Sequence, residues 1–169
     1  MKTLLLTRHG KTVRGNGQLK DYDRYLAPRG PADIKLVARE LQNLKYEPDL
    51  IISSPAVRAK QTADLFAKHF HYPGGKIKYL DFLYGYYSAG QLLAEINHLG
   101  QKARSVMVVA HNPSIAELGA YFTASFYDHM PTSASLVVDF EVKRWEYISE
   151  GSGLLSQFIF PGALREKLD

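Results

Sequence analysis

Short β-rich runs alternate with helix-period runs along most of this chain, and Pro or Gly marks most of the changeovers. Leu4-Leu5-Leu6-Thr7 reads as a buried strand. Arg29-Gly30-Pro31 punctuates the chain, with Pro31 suited to a first helical position. Beyond it Ile34, Val37, Ala38, Leu41 and Leu44 line one face of a helix. After Pro48, residues 50–53 form a second strand. Ser54-Pro55 opens a helix with Ala59, Ala63, Phe66, Ala67 and Phe70 on one side, and Pro73-Gly74-Gly75 ends it. Residues 77–80 are a short strand, and Leu92, Leu93, Ile96 and Leu99 make a short helix closed by Gly100. Residues 106–110 are a strong strand, and Pro113 starts a helix carrying Ile115, Leu118 and Phe122.

Such an order predicts an α/β fold with three layers, α/β/α, in which helices cover both faces of a mainly parallel central sheet. The tail differs. Segments 135–142, 145–149 and 154–160 are strand-like and joined by short turns, so a hairpin or meander is expected to extend the sheet. No linker, repeat or break in composition divides the 169 residues, so residues 1–169 are expected to be a single domain.

Composition removes several classes of function. With no cysteine, disulfides, Cys-ligated zinc, Fe–S clusters and thiol catalysis are out. No apolar run approaches the ~20 residues that span a bilayer. The leading Met1-Lys2-Thr3-Leu4-Leu5-Leu6 is too short for a signal-peptide core, so a cytoplasmic protein is expected, without a membrane partner. The formal charge of +4 is unevenly spread: residues 1–84 hold 15 basic and 8 acidic residues, residues 85–169 hold 6 and 9. No basic run exceeds Lys143-Arg144, so nucleic acid is not an expected partner, whereas a phosphorylated substrate suits a locally positive half.

Ligands of open α/β sheets bind beyond the carboxyl ends of the strands. Three strands here end in polar chemistry: Thr7-Arg8-His9-Gly10, then Ser53-Ser54-Pro55 with Arg58 one turn on, then Ala110-His111-Asn112-Pro113. If those strands are parallel, two histidines, two arginines and two helix N-termini converge, a set suited to phosphate. A neutral imidazole can attack phosphorus and hold the phosphoryl group covalently, while arginines neutralise its oxygens. The tips offer no carboxylate cluster for Mg²⁺, so no metal and no other cofactor is expected.

At these residues the sequence resembles the histidine phosphatase superfamily, with its phosphoglycerate mutase-like fold. Arg8-His9-Gly10 looks like its RHG signature. The run from Ser53-Ser54-Pro55 through Arg58-Ala59 to Gln61-Thr62-Ala63 is similar to the second motif, and Ala110-His111-Asn112-Pro113 to the third. The segment from Asp23-Arg24-Tyr25-Leu26 to Pro28-Arg29-Gly30, and the tail around Met130-Pro131-Thr132-Ser133-Ala134, resemble the small capless SixA-type phosphohistidine phosphatases. The resemblance implies that His9 is the phosphorylated nucleophile and that Arg8, Arg58 and His111 complete the phosphate pocket. Lys11, where the mutase-type branches have Glu, and Thr12 are further candidate substrate contacts. Without a cap the site is expected to be shallow, which favours a phosphorylated protein side chain over an engulfed metabolite. Asp81, the sole carboxylate between Asp64 and Glu95, is the candidate general acid, because larger family members place a carboxylate there.

The expected activity is thus metal-independent phosphatase chemistry, with a phosphohistidine protein as substrate. A small-molecule phosphomonoesterase of the same mechanism and a non-catalytic phosphate-binding module are the alternatives. Other polar and aromatic residues have plainer readings. Asp23 and Arg24 are either a solvated pair or a buttress of the pocket. His69 and His71 point to different sides and do not suggest a metal site, while His98 is a surface residue and His129 a structural one. Tyr84, Tyr86 and Tyr87 are rim packing or a substrate platform, and Trp145 packs on the sheet.

Overall fold

The computed structural model describes residues 1–15, 17–126 and 129–166. Its centre is a six-stranded sheet, flanked by five helices. In chain order these are β1 (Lys2–Arg8), α1 (Gly30–Asn43), β2 (Leu50–Ser53), α2 (Val57–His69), β3 (Lys78–Tyr79), α3 (Ala89–Leu99), β4 (Ser105–Ala110), α4 (Ser114–Thr123), β5 (Ser135–Phe140), β6 (Leu154–Ile159) and α5 (Pro161–Glu166). The strand order is β3-β2-β4-β1-β5-β6. The first four in that order are parallel, and β5 and β6 add on as an antiparallel pair.

Period-two alternation divides the core. Leu4, Leu6, Ile52, Val106 and Val108 face one layer, with Leu92 and Ile96 of α3 and Ile115, Leu118 and Phe122 of α4. Leu5, Ile51, Met107 and Val109 face the other, with Ile34, Val37 and Leu41 of α1 and Ala59, Ala63 and Phe66 of α2. Both faces are covered, which is why β1, β2 and β4 are apolar on both sides rather than alternating. The three-layer expectation holds.

The tail departs from expectation at one segment. Residues 145–149 read as a strand, but Trp145–Tyr147 is a 3-10 turn. Trp145 is buried among the residues of the α3–α4 layer, its indole N–H donates to the Ala103 carbonyl at 3.0 Å, and Lys2 Nζ lies over its ring. Aromatic content suggests a strand because β-propensity largely reports half-burial, and here that burial is met off the sheet. The short helix α5 was not legible in the sequence; it packs beside α1, where Arg165 pairs with Asp33.

Candidate active site

Parallel pairing brings the three polar tips together. Arg8 of β1 lies opposite Ala110 of β4, so His9 and His111 each stand one residue past the same register pair. The His9 amide extends the ladder by donating to the Ala110 carbonyl at 3.1 Å, and the Ser54 amide donates to Val109 at 2.9 Å. The imidazole centroids of His9 and His111 are 5.1 Å apart with the planes at 52°.

One hydrogen bond fixes the chemistry of His9. Nδ1 lies 2.8 Å from the Gly10 carbonyl oxygen. A carbonyl only accepts, so Nδ1 carries the proton and Nε2 keeps its lone pair. Burial, reinforced by the charges of His111, Arg58 and Arg8, pushes the His9 pKa down to about 3, despite the opposing Gly10 bond. The ring is therefore neutral at pH 7. Arg58 Nε donates to His9 Nε2 at 3.3 Å, placing a guanidinium against that lone pair. His111 Nε2 lies 2.8 Å from Ser54 Oγ, and burial together with Arg58 pushes its pKa down to about 4. His9, Arg58 and His111 are 7%, 6% and 8% exposed, enough to reach a ligand yet too little for water to screen the Arg58 charge fully.

Local packing holds these groups in place. The Thr62 hydroxyl accepts from the Gly10 amide at 2.9 Å and donates to the Arg58 carbonyl at 2.6 Å, tying the first motif to α2. A Cβ at Gly10 would lie 2.9 Å from both Ile34 Cδ1 and Leu26 Cδ2, so any larger residue there must push those side-chain ends aside. Arg8 Nη1 donates to the Met130 carbonyl at 2.8 Å. Burial and the Arg58 charge lower the Arg8 pKa, so the two guanidinium groups share one electrostatic site.

A fifth group was not singled out from the sequence. Asp21 accepts from Arg58 through its backbone carbonyl and, at 2.9 Å, through Oδ2. Oδ2 also accepts from the Tyr84 hydroxyl at 3.0 Å, and Oδ1 from Arg24 at 3.2 Å. Burial would raise the Asp21 pKa, but hydrogen bonds from Arg58, Tyr84 and Arg24 outweigh it and hold the carboxylate below its ordinary range. Asp21 is therefore an ionised acceptor that anchors Arg58. Arg24 bonds Thr12 Oγ1 at 2.7 Å and the Val13 carbonyl at 3.0 Å, so of the Asp23–Arg24 pair it is Arg24 that buttresses the pocket. The signal that could have found Asp21 was its spacing of three from Arg24, a turn on which both side chains meet.

The remaining candidates divide. The Thr12 hydroxyl is taken up by Arg24, whereas the Lys11 side chain is exposed and its backbone carbonyl accepts from the Ala27 amide. The Asp81 side chain is exposed and, among the described residues, makes no hydrogen bond or ion pair. The same turn, Asp81–Tyr84, instead delivers Tyr84, whose ring meets His111 edge-on at 5.7 Å and Tyr22 at 5.0 Å. Among the described residues no group of three or more His, Cys, Asp or Glu is placed to hold a metal ion, and no helix is long and apolar enough to cross a membrane.

Comparison with known proteins agrees with this geometry. Residues 4–81, which include the first two motifs, match the sequence model of the histidine phosphatase superfamily (branch 1). The protein histidine phosphatase SixA, solved with tungstate, superimposes with a TM-score of 0.81 over 96% of this chain and 99% of that one, at 24% identity. Over those residues the chain resembles the histidine phosphatase superfamily, and along nearly its whole length it shares the SixA fold. The chain is also similar to a candidate phosphohistidine phosphatase SixA from Agrobacterium tumefaciens, at 27% identity and TM-score 0.73 over 94% of this chain and 97% of that one. An uncharacterized protein of Mycobacterium tuberculosis is 29% identical over 91% of this chain and 99% of its own length.

Proposed function

We propose that this chain is a phosphatase that forms a covalent intermediate on His9 and acts on phosphohistidine in proteins. The observation that carries the reading is the His9 tautomer. Its Nδ1 proton is committed to Gly10, and its Nε2 lone pair faces the Arg58 guanidinium. A phosphoryl group seated against Nε2 places its oxygens where Arg58 now donates. His9 Nε2 attacks phosphorus, forming an N–P bond as the substrate's P–N bond breaks. The leaving imidazole keeps the electron pair of that bond, and the proton on its other nitrogen makes it neutral. Arg8 and Arg58 offset the charge on the transferring oxygens, and His111 hydrogen-bonds the same group. Water then attacks phosphorus, the His9 N–P bond breaks, and inorganic phosphate leaves.

The substrate class follows from protonation. Alkyl esters leave as alkoxides and need a positioned acid. Among the described residues the carboxylate bonded into the site is Asp21, which is ionised and occupied by Arg58, Tyr84 and Arg24. Asp81 stands apart from that network. A phosphohistidine substrate needs no such acid. The test is kcat/KM across phosphohistidine, phosphoserine and phosphotyrosine peptides and sugar phosphates. Phosphohistidine should lead by about 10² or more, the usual contribution of a general acid that this site lacks. A sugar phosphate in the lead would assign the enzyme to small-molecule monoesters.

A further inference from the structure

We propose that a groove beside the histidines is a subsite for a basic side chain, Lys or Arg, next to the phosphorylated residue of a protein substrate. The proposal rests on the phosphatase reading above and adds a sequence preference to it. The groove, about 340 Å³, lies between the start of α3 and the outer side of α4, and its walls include Tyr86, Tyr121, Glu117 and Leu118. Tyr86 is 79% exposed and Tyr121 37% exposed, so both rings are available to a ligand. Glu117 is exposed, and among the described residues its carboxylate makes no hydrogen bond or ion pair.

Those side chains select by charge. Tyrosine faces attract a cation, and the carboxylate supplies its counter-charge. An anion would meet Glu117, and a purely apolar side chain would leave Glu117 with a poorly solvated charge. At the start of α3 the Ser88 hydroxyl already accepts from the Gln91 amide, so one helix-end donor on that wall has its partner.

A short stretch of chain links the groove to the catalytic centre. Tyr84 packs on His111, Gly85 follows it, and the Gly85 carbonyl accepts from Ser114 at the start of α4 at 3.5 Å. Tyr86 comes next. The pocket carries Arg8 and Arg58, while the adjoining groove carries Glu117. A substrate with a phosphoryl group and a neighbouring cation matches both, and a sugar phosphate matches only the first.

The experiment uses phosphohistidine peptides that differ only in flanking Lys, Ala or Glu, with p-nitrophenyl phosphate as a substrate that has no flank. For the wild type, kcat/KM for the Lys peptide should exceed that for the Glu peptide about 10-fold, the joint effect of one cation–π contact and one exposed ion pair. Glu117→Lys should reverse the order, Tyr86→Ala should narrow it, and neither should change kcat/KM for p-nitrophenyl phosphate. An order that survives Glu117→Lys overturns the proposal. Fluorescence anisotropy with the His9→Ala variant reads binding of the same peptides without turnover. There, the loss of any Lys-over-Glu order tells against the groove, whereas failure of the wild type to hydrolyse any substrate tells against the phosphatase reading.

Discussion

The two ends of the parallel strands make an instructive pair. At their amino ends lie cavities of about 670 and 660 Å³, lined by residues such as Asp49, Lys102, Arg104 and Lys2. At their carboxyl ends the groove beside the histidines is about 340 Å³. The larger spaces are the chemically quieter ones. Lys2 Nζ is spent on the Ala103 carbonyl at 2.6 Å, and the Asp49 carboxylate on the amides of Arg104 and Ser105 at 2.7 and 3.0 Å. Ser105 Oγ is the one buried side-chain atom without a partner at that end among the described residues. At the histidine end, Arg8 Nε, His111 Nδ1 and Asn112 Oδ1 are buried and unpaired, and the His9 and His111 pKa values are both depressed. Unspent polar groups in a desolvated field mark a site; volume alone does not.

Breaking the histidine end should give the largest effects. Arg58→Ala and His111→Ala should each lower kcat by about 10²–10³, the usual cost of removing one donor to transition-state charge. Steady-state kinetics on a phosphohistidine peptide, with circular dichroism to confirm folding, checks this. A loss under about 3-fold for either would remove that residue from the phosphate pocket.

Titration sharpens the contrast. A free histidine titrates near 6.5, whereas His9 and His111 are held to about 3 and about 4, in each case first by burial. As pH falls below 6.5, the unfolded chain takes up these protons before the folded one does. The stability contribution of the two neutral rings is thus complete above about pH 6.5 and is lost as pH falls toward 4 and then 3. In the unliganded enzyme, ring C–H resonances of both histidines should move only well below pH 6.5. Midpoints near 6.5 would mean the rings are solvated rather than buried.

Much of this end was legible in the sequence, and the reason is local. Arg8, His9, Ser54 and His111 each sit at or just past a strand end, Arg58 lies in the first turn of the helix that follows one, and parallel pairing does the rest. Asp21 was harder to read, because only its spacing of three from Arg24 marks it and it reaches Arg58 across 37 residues. Asp81 was chosen for its position along the chain, yet the fold turns Tyr84 of the same segment toward His111. Trp145 was legible as buried but not as helical, since an aromatic reports burial and not the backbone that achieves it.

Asp21 tests whether the anchor matters beyond the residues it holds. Asp21→Asn removes a charge while keeping the shape. It should lower kcat by about 10-fold, within the range seen for groups that orient a primary ligand. Inhibition by inorganic phosphate should strengthen at the same time, because Arg58 is no longer neutralised by a carboxylate. Weaker phosphate inhibition would show that Asp21 merely maintains structure, and Asp21→Glu should recover part of the rate.

The smallest effects should come from outside the network. Lys102→Ala at the opposite end and Asp81→Asn should each leave kcat/KM on a phosphohistidine peptide within about 2-fold, as expected for exposed, unbonded groups. A loss of about 10² or more on Asp81→Asn would make it a general acid and shift the substrate class toward alkyl esters.

The central claim is that phosphate passes through His9, and quenching the reaction tests it most directly. Enzyme mixed with a radiolabelled phosphohistidine peptide and quenched in base within the first turnover should carry an acid-labile, base-stable label. Peptide mapping should place that label on His9, and the His9→Ala variant should show neither label nor turnover. Label on His111 or on any other residue, or full turnover by His9→Ala, would contradict the account.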